Sequence, residues 1–187
     1  VGDFFLANDK ARFIVQAPTR VIGVIPQGGN VVDAVLTDGD QQVVDDHFGE
    51  LSLIYLLGRT CEPDRMEIVR DGSEGGPAVL RAIGRSGNND FINIKGIGIL
   101  PVSATMDPDI DDGVLCATTY VLAPGSTTLE IHHSLYNPRP DRVSGPMGTM
   151  ADTGGDTEAW TQARGFQRAD ISALATLSSP QTTDYVV

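Results

Sequence analysis

Glycine and proline clusters cut this chain at short, regular intervals, and the stretches between them are rich in Val, Ile, Leu, Phe and Thr. No stretch sustains a 3.6-residue apolar period, so the chain cannot be assembled from long amphipathic helices. Short β-forming runs between turn residues instead predict an all-β domain, an antiparallel β-sandwich with little helix. The predicted strands are "FFLA", "ARFIVQ", "VIGVIP", "NVVDAVLT", "LSLIYLL", "RMEIVR", "AVLRAIG", "FINIKGIGIL", "VLCATTYVL", "TLEIHHSLY" and "ISALATL". Only "DDHFGELSLIYLLG" and "DTEAWTQARGF" have room for a helical turn, and "PMGTM" makes a poor strand.

At 187 residues the chain is long enough to bury a substantial core, and residues 1–187 read as a single sandwich domain. The apolar starts and stops "VGDFFLA" and "TTDYVV" suggest a piece of a longer protein. A formal charge of −12 argues against nucleic acid as a partner, because its phosphates must be met by clustered Lys and Arg. No apolar run reaches the roughly 20 residues needed to span a bilayer as a helix, so membrane insertion is not expected.

The clearest local signal is "TTYVLAPGSTTLEIHHSLYN", two strands joined by a Pro-Gly turn. Strict alternation places Leu129, Ile131, His133 and Leu135 on one face and Glu130, His132, Ser134 and Tyr136 on the other. The adjacent histidines therefore point opposite ways. His132, His133 and Glu130 are the groups best suited to acid/base work near neutral pH, against the simpler reading of one exposed polar face and one hydrogen-bonded, partly buried histidine. No residue is assigned a catalytic role on this basis.

The acidic run "DPDIDDG" offers Asp107, Asp109 and Asp111 at positions 1, 3 and 5 of a calcium loop, which makes calcium the candidate cofactor. Asp112 nevertheless stands where an EF-hand needs glycine, and Thr118 where it needs a bidentate glutamate. The flanks read as strands, so the segment is an acidic strand-to-strand loop whose three aspartates either converge on an ion or fan into water. His47, beside Asp45, Asp46 and Glu50, is a weaker metal cluster. "ADTGGD" contains the D-T-G triplet of aspartic proteases, but its context lacks the second half of that machinery. Trp160 and Tyr136, with Phe166, are candidates for stacking on a sugar ring. Cys61 and Cys116, with no zinc-like spacing, are either one disulfide in an exported protein or two buried thiols.

Taken together, "GDFFLANDKARFIVQAP", "PQGGNVVDA", "FGELSLIYLLGRT", "VRDGSEGGPAVLRAIGR", "TTYVLAPGSTTLEI" and "DTGGD" resemble a region of large secreted bacterial multidomain proteins. In some of those it precedes carbohydrate-binding-like repeats or a metal-dependent hydrolase domain. The hairpin is also similar to the strand pair of galactose-mutarotase-like supersandwich domains, in which a histidine and a glutamate serve as acid and base. These resemblances imply an extracellular or cell-surface location. They also imply a non-catalytic binding or structural module whose partners are other domains of the same protein, another chain, or carbohydrate. The alternatives are a carbohydrate-active enzyme of mutarotase-like fold and an assembly subunit that pairs through edge strands at "DFFLA" or "DYVV".

Overall fold

A computed structural model describes residues 2–23, 25–37, 49–56, 58–89, 112–140 and 147–152, and the backbone of 158–161, 165–168 and 173–175. Among the described residues there is no helix. The strands are β1 (Phe4–Ala7), β2 (Ala11–Val15), β3 (Val31–Leu36), β4 (Glu50–Tyr55), β5 (Arg59–Asp71), β6 (Ala78–Asn88), β7 (Leu115–Leu122), β8 (Leu129–Tyr136), β9 (Met147–Asp152), β10 (Glu158–Thr161), β11 (Gly165–Arg168) and β12 (Ala173–Ala175). β1 to β8 are hydrogen-bonded in sequence order in one antiparallel sheet; β9 joins it against β4 and carries β12, while β10 and β11 form a separate hairpin.

The period-2 alternation decides which side chains form the core. Leu6, Phe13, Val15 and Val31 from β1 to β3 meet Leu80, Tyr120 and Leu122 from β6 and β7 in one cluster, with Leu129 and Ile131 of β8 packed against it. Burying side chains of this size stabilises by about 1.5–3 kcal/mol each. The two ends of the β1–β8 run are also tied by a turn-to-turn contact. Asn8, in the turn after β1, accepts from the Lys10 and Ala11 amides, and its Nδ2 donates to the carbonyls of Ala123 and Ser126 in the β7–β8 turn. Gly125 supplies the positive φ that this Pro-Gly turn requires.

A second cluster surrounds a disulfide between Cys61 and Cys116, which packs with Leu53, Tyr55 and Leu56 and against Leu135 and Met147. These cysteines lie on β5 and β7, on either side of β6, where a flat sheet would hold the two strands roughly 9–10 Å apart. Their Cα atoms are only 5.8 Å apart. The sheet folds sharply here, where the register shifts between Pro63 and Arg65. Gly84, opposite both Pro63 and Cys116, makes the fold possible, because a Cβ there would sit 1.9 Å from the Glu62 carbonyl oxygen. A bridge closing 55 residues of chain stabilises by about 4 kcal/mol on the chain-entropy view.

Several elements differ from the sequence expectation. Residues 21–23 and 25–26 of "VIGVIP" are loop rather than strand: Gly23 and Pro26 interrupt the run, and the Ile25 amide donates to a side chain instead of a ladder carbonyl. The "MGTM" of "PMGTM" is part of β9, an interior strand, because β4 offers it an unbroken run of backbone partners from Tyr55 to Glu50. In "DTEAWTQARGF" the described residues, 158–161 and 165–166, are strand and pair in the β10–β11 hairpin, the stretch being too short for an isolated helix to outweigh strand pairing. "FINIKGIGIL" and "DYVV" lie outside the described residues.

Candidate functional site

Three polar constellations emerge where these strands meet. The first is a cleft of about 380 Å³ lined by Ile22, Gly23, Val32, Gly49, Glu50 and Asp152. Glu50 opens β4 and Asp152 closes β9, and the two are directly opposed in the ladder, so their side chains leave the sheet on the same face. Glu50 is 1% exposed: its Oε2 accepts from the Ile25 amide and its Oε1 from Asn30 Nδ2, both at 2.9 Å. This carboxylate pins the loop between β2 and β3. A Cβ on Gly23 would lie 2.1 Å from Oε2, so a side chain there would displace the Glu50 carboxylate. The same loop receives the Tyr120 hydroxyl, which donates to the Gly29 carbonyl at 2.6 Å. Burial, with the charge of Glu50 as the second cause, pushes the Tyr120 phenol well above its ordinary range, so it stays a neutral donor.

The second constellation is centred on His133. Its Nδ1 lies 3.0 Å from Thr118 Oγ1 on β7 and its Nε2 3.3 Å from Thr149 Oγ1 on β9, so the ring spans from the hairpin to the strand that borders β4. Burial, with the neighbouring His132 as the second cause, pushes its pKa down to about 4, leaving a neutral imidazole at physiological pH. A neutral ring has one donor and one acceptor nitrogen, and rotatable threonine hydroxyls can satisfy both. His132 projects from the opposite face, exposed, with Nε2 3.5 Å from Glu130 Oε2. The two histidines and Glu130 therefore do not converge: Glu130 and His132 form a surface pair, and His133 is a clamp between strands.

The third lies beside the disulfide. Arg59 and Asp112, each 2% exposed, form an ion pair with Nε 3.3 Å from Oδ2. Ser86 joins them, accepting from Arg59 Nη1 at 2.9 Å and donating to Asp112 Oδ2 at 3.0 Å, while the Val114 amide donates to Oδ1. Tyr55 packs into the same cluster, and burial pushes its pKa up to about 12. Such a pair contributes little net stability when intact but leaves a costly uncompensated charge when broken.

Asp112 thus gives the acidic run a partly structural role: the residue that spoils the EF-hand template is a buried partner of Arg59. Asp107, Asp109 and Asp111 lie outside the described residues, as do Asp45, Asp46 and His47. Among the described residues no group of three or more His, Cys, Asp or Glu side chains is arranged to hold a metal ion. Tyr136 is 64% exposed at the far end of β8, and the side chains of Trp160 and Phe166 lie outside the description. Sequence reasoning missed the Glu50–Asp152 cleft and the Arg59–Asp112 pair. The available signal was a charged residue at the mouth of an apolar strand, "GELSLIYLL" for Glu50 and "GRTC" for Arg59. No protein-family model, curated protein or solved structure matches the chain.

Proposed function

We propose that the chain is an extracellular, non-catalytic binding or structural module of β-sandwich architecture within a larger secreted or cell-surface protein. The observation that carries this reading is the Cys61–Cys116 disulfide, set in a core cluster and reached only by folding the sheet across Gly84. Disulfides of this structural kind persist in oxidising compartments. The non-catalytic part draws support from the titratable groups, since His133 is neutral and clamped, Arg59 and Asp112 neutralise each other, and Glu50 holds a loop. The sandwich draws support from the first cluster, in which side chains of β1 to β3 pack on those of β6 and β7.

The test is differential thiol alkylation with mass spectrometry on the protein taken from its native cells, by fraction. In the exterior or surface fraction both cysteines should resist labelling until reductant is added. A cytosolic population with two freely alkylated thiols would overturn the reading.

A further inference from the structure

Among the unpaired edges of the described sheet, β1 and the outer half of β5 are guarded. β1 is only four residues long. The outer half of β5 carries register shifts at Pro63/Arg65 and Ile68/Arg70 and the charged side chains of Asp64, Arg65, Glu67, Arg70 and Asp71. Shortness, bulges and charge are the devices by which edges avoid pairing with other chains. β8 is eight residues long and free of bulges, and Glu130 is its one acidic side chain. Leu129–Tyr136 run in unbroken register against β7, without bulge, proline or lysine, and among the described residues no strand lies on the other side.

β8 is also complementary to itself. A two-fold axis normal to the sheet pairs residues of like parity, so the face of Leu129, Ile131 and His133 meets its own kind and the polar face does likewise. Registers centred on His132 or His133 set identical histidines against each other. The register centred on Ile131 sets Glu130 of each copy against His132 of the other, twice, on the exposed face, where these two residues already lie 3.5 Å apart within one chain. We propose that two copies of this chain associate by antiparallel pairing of their β8 edges about Ile131, with Glu130 facing His132 across the junction. This stands independently of the export reading above.

Sedimentation equilibrium on the intact chain tests it. Each copy carries a formal charge of −12, so the measurement belongs near 0.15 M salt, where repulsion is screened beyond roughly 8 Å. A concentration-dependent dimer is expected. Glu130→Arg and His132→Glu each disrupt both opposed pairs and should weaken it about tenfold, while the double swap should restore it. Both side chains are exposed, so these variants keep the fold. Ile131→Cys should form an interchain disulfide readily, because facing residues of an antiparallel pair approach within roughly 4.5–5.5 Å. A monomer up to millimolar concentration overturns the proposal. So does a dimer that ignores all three charge variants and fails to cross-link through position 131.

Discussion

Replacing His133 with glutamine should remove an acid sensitivity that the fold builds into this one side chain. Glutamine is neutral at every relevant pH and can offer Thr118 and Thr149 a donor and an acceptor, so the clamp survives while titration does not. In the folded protein burial holds the imidazole near a pKa of about 4, against the ordinary 6.5. The unfolded chain therefore takes up a proton as pH falls through 6.5, and the native state resists until about 4. Unfolding free energy must fall across that window with a slope of up to about 1.4 kcal/mol per pH unit, a total of at most about 3 kcal/mol. Above pH 6.5 both states are neutral here, so this contribution is fully present; below 4 both are charged and no further loss follows. Urea unfolding of the wild type and His133→Gln at intervals from pH 7.5 to 4 gives two curves. The carboxylates impose their own pH dependence on both, and it cancels in the difference. That difference should shift toward the variant by about 3 kcal/mol on acidification. Parallel curves would refute the claim that burial keeps His133 neutral.

Two further outcomes concern the buried ion pair and the acidic run. Asp112→Ala strands the buried Arg59 charge and should cost about 3–5 kcal/mol in urea unfolding, whereas the joint replacement of Arg59 and Asp112 by leucine should recover most of that; equal losses in the two variants would contradict the assignment. If Asp107, Asp109 and Asp111 converge on calcium, an ion concentration a hundred times the Kd adds about 2.7 kcal/mol and raises the thermal midpoint; coincident melting curves with calcium and with chelator would remove metal from the account.

The sequence made the strands legible where alternation and turn chemistry agreed. The β7–β8 hairpin is the clearest case: its Pro-Gly turn, its two faces and the opposite aim of His132 and His133 all follow from period 2 and one turn. Alternation fails where backbone groups are satisfied by something other than a ladder. "VIGVIP" has the composition of a strand, yet the Ile25 amide goes to Glu50, a residue 25 positions away that local pattern cannot supply. β9 shows the converse, since a stretch with weak propensity becomes an interior strand because β4 and β12 flank it.

The candidate sites were legible only as inventory, because a charged residue's role depends on what the chain brings to it. Four aspartates in seven positions look alike in sequence. What distinguishes Asp112 is its place just before β7, where it reaches Ser86 on β6 and Arg59 on β5. Those three residues meet at one end of β6, where Arg59 lies opposite Asn88 on one side and Asp112 leads into β7 on the other. Close by, the fold across Gly84 brings Cys61 to Cys116, so the disulfide depends on one glycine. A side chain at position 84 would collide with the Glu62 backbone and strain the disulfide cluster, a dependence that cysteine spacing by itself does not encode.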